Sequence, residues 1–350
     1  MFDLTELLKT AITQGATDIH ITVGTAPKFR IHGRLHTSWF QKPTAADTLG
    51  MLLDIMNPEQ REQFEEDGEI DLSITIPQTG RCRVNAFKQK NCIALSCRVV
   101  DMEIPKAEEL GIPEHVMDLC NERNGLILVT GPAGSGKSTV LAAMIDKINS
   151  TREMNIITLE DPIEYLHPHK LSIVNQREIG RDTKSCQKAI AAALREDPDI
   201  IEIGELSDGE SAFNAMKAAE LGCLVMSTMY TSGAAETVEA FLAMFQEERQ
   251  KYAARKLSEV LKAVISRQLI PNPDGTALVP AYEILYVTNQ VRKDIREGNY
   301  DNLKKVMSAQ KDMGMITMDE YLTELYREGK ISKESALQYA RDTETVTGIL

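Results

Sequence analysis

Residues 131–139 have the sequence GPAGSGKST and lie between two segments of different character. The preceding run Gly125–Thr130 is continuously apolar, which is typical of a strand buried on both faces of a parallel sheet. The following stretch Val140–Asn149 has helical periodicity. The segment matches the pattern G-x-x-x-x-G-K-[ST], and a strand before it and a helix after it are the context that this pattern requires.

The residue types of this segment suit a phosphate-binding loop. Glycines let the backbone turn tightly so that successive N–H groups point at phosphate oxygens, and the following helix adds its positive end. Lys137 is expected to reach the β and γ phosphates, and the Ser138 hydroxyl to complete the coordination of Mg²⁺. The alternative, a chance glycine-rich turn, is disfavoured by the strand–loop–helix context. We therefore predict a bound nucleotide with Mg²⁺, held by Gly131, Pro132, Ala133, Gly134, Ser135, Gly136, Lys137, Ser138 and Thr139.

The chain around this loop alternates strands with helices. Ile156–Leu159, Ile200–Ile203 and Cys223–Ser227 repeat the apolar character of the first strand, and helical stretches such as Cys186–Leu194 lie between them. Such a βαβ series predicts a doubly wound α/β domain with a mainly parallel sheet. We place this domain at residues 113–288, followed by a helical region at 289–350 in which Met318–Tyr326 and Ser332–Ala340 form a hairpin.

Residues 1–100 have a different pattern and are predicted to form a small α+β domain with a mostly antiparallel sheet. Asp3 is a plausible N-cap for a helix that ends before Gly15, and residues 101–112 are predicted to be a linker. A second helix is predicted at Ala46–Met56. The predicted strands are Ile19–Val23, Phe29–Ile31, Ile70–Ile76, Arg81–Lys88 and Ile93–Val99, with turns at His32-Gly33 and Pro77–Gly80.

Composition excludes several classes of protein. The 350 residues carry a net charge of −13, which argues against a nucleic-acid partner, since such binding rests on clustered Lys and Arg. The six cysteines contain no C-x-x-C pair, so we expect reduced thiols and no zinc site. Nothing approaches 18 consecutive apolar residues, so no transmembrane segment is predicted and we expect a cytosolic protein. For His167 and His169, a surface loop is favoured over a metal site.

Two groups of acidic residues follow predicted strands. Glu160, Asp161 and Glu164 lie at a strand end, where ligands bind in open α/β sheets, and such acids can hold Mg²⁺ or polarise an attacking water. Glu205 follows the apolar strand Ile200–Ile203 and can orient or deprotonate that water. For both groups the alternative is an ordinary solvated loop. Glu202 lies inside the apolar strand itself and needs a partner or an exposed edge.

The order of four motifs resembles that of the secretion and pilus motor ATPases, and most closely the type IV pilus retraction ATPases of the PilT type. The motifs are GPAGSGKST, TLEDPIEYLH, LREDPDIIEIGE and AAELGCLVMSTMYT. GATDIH and FRIHG near the N-terminus are similar to that family's small PAS-like domain, and VRKDIREG to its C-terminal helical motif. The resemblance implies a RecA-like P-loop ATPase domain. A longer N-terminal region and a tetracysteine insert, both common in assembly and type II secretion relatives, are absent, which favours the retraction branch.

The resemblance also implies a mechanism and partners. It implies a homo-hexameric ring, cytoplasmic and peripheral at the inner membrane, in which bound ATP is hydrolysed. Hydrolysis would drive pilus retraction and twitching motility through an inner-membrane platform protein at the pilus base, or would drive a related secretion machine. By position, Glu164 and Glu205 are the acids implicated in hydrolysis. Arg81, Arg83 and Arg98 are implied to be arginine fingers, a role that suits the planar guanidinium. Without the family, these arginines read as alternating charges on a half-exposed strand.

The chain departs from the family at three positions. The family's GHLV…TLHT box here has Cys223 and Tyr230 in place of its two histidines, and its GEMRD has become Gly204–Asp208 with no arginine. A cysteine cannot supply the switchable charge of an imidazole, whereas Tyr230 can still donate a hydrogen bond to a phosphate. Nucleotide binding is expected to survive, while sensing of the γ-phosphate and coupling between subunits stay open. The alternative function is therefore a nucleotide-binding accessory subunit with weak hydrolysis that works with an active paralogous pilus ATPase.

Overall fold

Two separate β-sheets organise the chain in the computed structural model, which describes residues 3–31, 33–76, 80–100 and 104–349. Each sheet belongs to its own compact unit. The first unit holds the described residues up to 100 together with Glu164–Leu166, and the second holds the rest of the chain. The predicted linker residues from 104 onward lie in the second unit, whereas 101–103, His32 and the predicted turn residues 77–79 are outside the described ranges.

The first unit is a six-stranded antiparallel sheet in the order β3-β2-β1-β6-β5-β4, with three helices. Buried residues alternate along β5, as expected for a sheet with one face on a core, and α1, α2 and α3 contribute to that core. The α+β prediction is confirmed. The elements are α1 (Leu4–Thr13), β1 (Ala16–Ile21), β2 (Lys28–Ile31), β3 (Arg34–Thr37), α2 (Ala45–Ile55), α3 (Pro58–Asp67), β4 (Glu69–Ile76), β5 (Gly80–Gln89) and β6 (Cys92–Val100).

Helix capping explains where sequence patterns succeeded and failed in this unit. Asp3 accepts hydrogen bonds from the first turn of α1, as predicted. α3 was not predicted, because its sequence PEQREQFEED buries only Phe64 and has no apolar stripe. Its ends are nevertheless marked in the sequence: Asn57 and Gln60 form a capping box, and Gly68 is a left-handed C-cap. β1 begins and ends earlier than the predicted Ile19–Val23, because its pairing with β2 and β6 runs only as far as Ile21.

The second unit is built on a seven-stranded sheet in the order β13-β12-β7-β11-β10-β8-β9, in which β13 alone runs antiparallel to its neighbour. This confirms the predicted α/β class with a mainly parallel sheet. Its elements up to residue 286 are α4 (Glu114–Met117), β7 (Gly125–Thr130), α5 (Lys137–Thr151), β8 (Asn155–Glu160), β9 (Ile173–Glu178), α6 (Cys186–Ala193), β10 (Ile200–Ile203), α7 (Gly209–Glu220), β11 (Leu224–Met229), α8 (Ala234–Ala243), α9 (Glu247–Val260), β12 (Leu261–Pro271) and β13 (Leu278–Tyr286).

Helices cover both faces of this sheet. The strands β7, β10 and β11 are buried along their whole length, which requires a hydrophobic layer on each side. α5 packs in the layer on one face and α6, α7, α8 and α9 in the layer on the other. The sheet therefore positions the carboxyl ends of its central strands, and the loops that follow them, on a rigid base.

In the described residues from 289 to 349 the α-helices are α10 (Asn289–Glu297), α11 (Asp301–Ala309), α12 (Met318–Arg327), α13 (Lys333–Tyr339) and α14 (Thr343–Ile349). α12 and α13 form the hairpin predicted from sequence and pack on β12 and β13 through Ile270, Ala281, Leu322 and Ala336. Within the described ranges, no helix is long and apolar enough to cross a membrane.

A buried carboxylate on β13 joins two of these helices. Glu283 is 1% exposed. Its Oε1 accepts a hydrogen bond from the Ala234 N–H at the start of α8 (2.6 Å), and its Oε2 accepts one from the Met318 N–H at the start of α12 (3.0 Å). A carboxylate at a helix N-terminus is stabilised by free N–H groups and by the helix dipole. The Arg341 Nε lies 3.7 Å from the Glu283 Oε2, and the Arg341 Nη1 3.2 Å from the Glu236 Oε2.

Replacing this carboxylate should destabilise the second unit. In Glu283→Gln one oxygen becomes an amide nitrogen that faces a backbone N–H, and Arg341 loses a counter-charge. We expect the free energy of unfolding to fall by about 3 kcal/mol, measured by urea denaturation. Glu324→Gln, an exposed position on α12, is the matched control and should change stability by less than about 0.5 kcal/mol. Equal effects of the two substitutions would contradict the capping role.

Candidate nucleotide site

The predicted phosphate loop connects β7 to α5. At two of its glycines, any side chain would clash with Arg267. Gly131 has φ 147° and Gly136 has φ 82°, and Gly136 is the N-cap of α5. A Cβ at Gly131 would lie 2.3 Å from the Arg267 carbonyl oxygen, and a Cβ at Gly136 would lie 2.2 Å from the Arg267 Nη1. α5 starts at Lys137 instead of the predicted Val140, because the left-handed Gly136 lets the Lys-Ser-Thr sequence form the first turn.

Arg267 on β12 supports this loop from behind, and it was not predicted from the sequence. Its side chain is buried, and its Nη1 donates to the Gly136 carbonyl (3.0 Å) and its Nη2 to the Leu110 carbonyl (3.4 Å). The guanidinium also lies 5.7 Å from the centre of the Tyr282 ring. The sequence does contain a signal for this role, because Arg267 is a single cation within the mainly apolar run AVISRQLI. A cation buried in such a strand needs hydrogen-bond partners.

Lys137 lies inside the loop. Its Nζ donates to the carbonyls of Gly131 and Pro132, both at 3.0 Å, and lies 3.8 Å from the centre of the Tyr230 ring. Ser138 is half-buried in the first turn of α5. The N–H groups of a first helical turn have no acceptor within the helix and point out of its N-terminus. The loop thus brings an ammonium, a hydroxyl and a helix N-terminus together, which is the donor set for a phosphate chain.

The acidic residues follow the ends of β8 and β10, which lie in contact. The Gly204 N–H donates to the Leu159 carbonyl (2.8 Å), and the Gly204 carbonyl accepts from the Thr228 hydroxyl (2.6 Å). A Cβ at Gly204 would lie 3.4 Å from the Glu160 Cα. These contacts hold the exposed side chains of Asp161 and Glu205 at the carboxyl edge of the sheet, the edge that also carries the phosphate loop.

The Glu160 carboxylate is engaged by its neighbours. Its Oε1 accepts from the Thr158 hydroxyl (2.6 Å) and the Gln176 Nε2 (3.0 Å), and the Gln176 Oε1 accepts from the His167 N–H (2.8 Å). Gln176 therefore hydrogen-bonds to the Glu160 side chain and to the His167 backbone, on either side of the acidic segment 160–164. It lies on the edge strand β9, which was not predicted because its sequence IVNQRE has little apolar character.

Glu202 is buried in the interior of the sheet, between β8 and β11. Its register partners are Thr158 and Met226, so an exposed edge does not explain this acid. It has a partner inside the protein, which is the other condition that its position in an apolar strand requires.

The remaining predicted acid and the three arginines belong to the first unit. Glu164 is exposed and groups with that unit, together with Tyr165 and Leu166. Arg83 on β5 lies opposite Arg98 on β6, and Arg81 is two residues further along the same face. The structure thus places all three arginines on one face of the N-terminal sheet, with Arg81 buried.

Two of these arginines form ion pairs within their own sheet. The Arg83 Nη2 lies 3.5 Å from the Asp71 Oδ2, and the Arg98 Nε lies 2.9 Å from the Asp18 Oδ1. Partial burial would raise the pKa of Asp18, but hydrogen bonds from Arg98 and Thr17 outweigh it and hold that pKa below its ordinary value. In this arrangement Arg83 and Arg98 are held by carboxylates of the first unit.

The two positions that depart from the family's histidines lie at opposite ends of β11. Cys223 precedes the strand, and its thiol donates to the Pro198 carbonyl (3.4 Å). Tyr230 follows the strand at the carboxyl edge, next to Gly131. Of these two positions, Tyr230 lies at the phosphate loop and Cys223 does not. The loss of a histidine at Cys223 therefore does not remove a group from that loop.

His167 and His169 have structural contacts. The His169 Nδ1 accepts from the Val174 N–H (3.1 Å). Burial lowers the pKa of His167 to about 4, against an opposing effect of the Asp146 carboxylate, and its buried Nδ1 has no hydrogen-bond partner among the described residues. In the part of the chain that the structure describes, no cluster of three or more His, Cys, Asp or Glu side chains could hold a metal ion.

Comparisons with known proteins agree on one family. A family model described as type II/IV secretion system protein matches residues 2–343. The type IV pilus retraction ATPase PilT of Pseudomonas aeruginosa is 40% identical over 97% of this chain and 98% of that protein. The type IV pilus ATPase PilU of the same organism is 37% identical over 96% of this chain and 88% of that protein. A crystal structure of the pilus retraction motor PilT with bound ADP superposes with a TM-score of 0.90, at 41% identity and 99% coverage of both chains.

Two glycines of the loop provide a matched pair of substitutions. Gly134 and Gly136 both have positive φ, but a Cβ at Gly134 meets nothing within 4 Å. Gly134→Ala should cost only the left-handed conformation, about 1 kcal/mol of stability. Gly136→Ala adds the clash with Arg267, and we expect it to weaken binding of a fluorescent ADP analogue at least tenfold more than Gly134→Ala. Similar affinities of the two variants would contradict the role of Arg267 behind the loop.

Burial of neutral His167 should make the protein sensitive to acid. Its folded-state pKa of about 4 lies below the ordinary value of 6.5, so the unfolded state binds protons more tightly. The contribution of His167 to the free energy of unfolding is therefore fully present above about pH 6.5 and is lost as the pH falls towards about 4. His167→Asn should make the unfolding free energy less steep in that interval, measured by urea denaturation at each pH. His36→Asn, at an exposed position on β3, should leave the slope unchanged, and an unaltered slope in His167→Asn would refute the prediction.

Proposed function

The chain belongs to the type II/IV secretion system protein family, and we propose that it is an ATP-hydrolysing motor that retracts a type IV pilus. Its relatives over nearly the whole chain are ATPases named for pilus retraction and for the type IV pilus, and ATPase activity is the property that they share. The observation that carries the proposal is the meeting of the phosphate loop and Glu205 at one edge of the sheet. Hydrolysis of a terminal phosphate requires groups that donate hydrogen bonds to the phosphates and a carboxylate close to them.

The roles of the acids follow from their positions. Glu205 is exposed beyond β10 on a backbone clamped by Gly204, and we assign it the orientation or deprotonation of the attacking water. Lys137 and the first turn of α5 neutralise the phosphates. Glu164 is proposed as a second acid in hydrolysis. Arg81, Arg83 and Arg98 are proposed as arginine fingers, a role for which Arg83 and Arg98 must leave Asp71 and Asp18.

The residues present fit Mg²⁺ that is carried by the nucleotide. Magnesium in such sites is bound by one or two protein oxygens together with substrate phosphates. The Ser138 hydroxyl at the start of α5 provides one oxygen, with Asp161 and Glu160 as further candidates. The Glu160 Oε1 already accepts two hydrogen bonds, and the described residues offer no cage of three or more ligating side chains. When bound, Mg²⁺ would offset negative charge on the phosphates.

Membership of the same family supports a proposal about partners. We propose a homo-hexamer that works in the cytoplasm, peripherally at the inner membrane, on the platform protein of the pilus. A net charge of −13 gives no general attraction to anionic lipid, so this docking requires local patches.

Glu205 provides the test of the motor function. Purified Glu205→Gln should bind ATP with an affinity close to that of the unaltered protein but release phosphate about a hundred- to ten-thousandfold more slowly, measured in a coupled phosphate assay. Glu210→Gln, at an exposed acid on α7, is the control and should hydrolyse ATP at the normal rate. If the unaltered protein hydrolyses no faster than Glu205→Gln, with and without a paralogous ATPase, it is not a motor.

A second function is favoured by Tyr230, which lies beside the phosphate loop where the family has a histidine. With this tyrosine in place of an imidazole, the chain would bind nucleotide, hydrolyse it slowly and assist a paralogous pilus ATPase. Negligible turnover alone, with stimulation of a co-purified paralogue, would identify this accessory role.

A further inference from the structure

The ring of Tyr230 contacts the Lys137 ammonium, and this contact gives Tyr230 a role within the proposed function. The Lys137 Nζ lies 3.8 Å from the centre of the Tyr230 ring, well within the 6 Å at which a cation is attracted to the face of an aromatic ring. Two other lysine–aromatic pairs in the chain are longer, at 5.3 Å for Lys88 and Phe64 and 5.7 Å for Lys256 and Tyr252.

The backbone on both sides of Tyr230 is anchored. Met229, the last residue of β11, pairs with Thr130, and its carbonyl accepts from the Gly131 N–H (3.4 Å). On the other side, the Thr231 hydroxyl hydrogen-bonds to the Thr237 hydroxyl of α8 (2.7 Å). The ring is therefore held beside the phosphate loop by the strand before it and the helix after it.

Burial shows how the ring and the ammonium are arranged. Lys137 is 6% exposed, whereas Tyr230 is 60% exposed. One face of the ring covers the ammonium while much of the side chain remains in contact with solvent. Two N–H groups of the ammonium already go to the carbonyls of Gly131 and Pro132, so the ring adds a contact to a lysine that is engaged within its own loop.

We propose that Tyr230 is a positioning residue of the nucleotide site, whose ring holds the Lys137 ammonium against the loop carbonyls in competition with the nucleotide phosphates. The inference rests on the proposed function, because it assigns Lys137 to phosphate binding. A phosphate oxygen that takes this ammonium must replace the attraction of the ring. An imidazolium at this position would repel the ammonium, so the tyrosine gives the site a property that a protonated histidine could not.

The size of the effect is limited by the exposure of the Tyr230 ring, because Lys137 itself is buried. Cation–π pairs at exposed positions are weak, and removal of the ring should tighten nucleotide binding by about two- to fivefold. Because the ring competes equally with bound substrate and with the transition state, its loss should lower KM for ATP without raising kcat.

A fluorination series at position 230 tests the electrostatic nature of the contact. Tyr230→Phe keeps the ring face and should bind the fluorescent ADP analogue as the unaltered protein does. Replacement of Tyr230 by mono-, di- and trifluorinated phenylalanines removes negative charge from the ring face with little change of shape. We expect Kd to fall in steps along this series and KM for ATP to fall with it, ending near the value for Tyr230→Leu.

Tyr252→Leu is the matched control for the loss of a tyrosine ring. It removes a tyrosine of similar exposure that also lies near a lysine, on α9, and should leave Kd unchanged. A Kd that is flat across the fluorinated variants, or that rises, overturns the positioning role even if the protein binds and hydrolyses ATP normally. Failure of the unaltered protein to bind nucleotide at all refutes the proposed function instead, so the two failures are distinguishable. Thermal unfolding of each variant shows that the compared proteins are folded.

Discussion

The close approach of Arg267 to Gly136 is the contact on which the loop of the candidate nucleotide site depends. A buried guanidinium hydrogen-bonds to the carbonyl at the start of α5, and the absence of a side chain at Gly136 leaves room for it. The loop thereby contacts β12 through Arg267, and Lys137 within the loop contacts the Tyr230 ring. Its curvature, and with it the direction of the first N–H groups of α5, is set by packing against a fixed strand.

Four parallel strands carry the residues of the candidate site. β7 leads into it, β11 ends beside it at Tyr230, and β10 and β8 end in the acidic residues. Because side chains at the ends of parallel strands meet at one edge, residues distant in sequence become neighbours without long loops. This arrangement also explains how a chain with a net charge of −13 can hold a polyphosphate. The donors are local: they are the Lys137 ammonium, the Ser138 hydroxyl and the first N–H groups of α5.

Much of this could be predicted from the sequence, and the misses have physical causes. The placement of the loop 131–139 between a strand and a helix, and of Glu205 after a buried strand, was predictable because each depends on short-range chemistry: glycines where the chain must turn, and an acid after an apolar run. Arg267, Gln176 and the strand β9 were not predicted, because their roles come from tertiary contacts that leave little periodicity in the sequence. Glu202 was noticed as anomalous, but its interior position required the strand order. The sequence suggested a hydrogen-bonding role for the Tyr230 hydroxyl, whereas the structure turns the face of its ring to the lysine.

Glu283 has a mechanical consequence for the second unit. Its two oxygens clamp the first residues of α8 and α12, and the Arg341 guanidinium lies against Gly233, just before α8. The segment from Tyr230 to the start of α8 therefore cannot shift without straining bonds to the C-terminal helices. The carboxylate rigidly links the segment after β11 to α12, which begins about ninety residues further along the chain. A displacement at the nucleotide would be transmitted to those helices as movement of a connected body instead of being absorbed in a flexible loop.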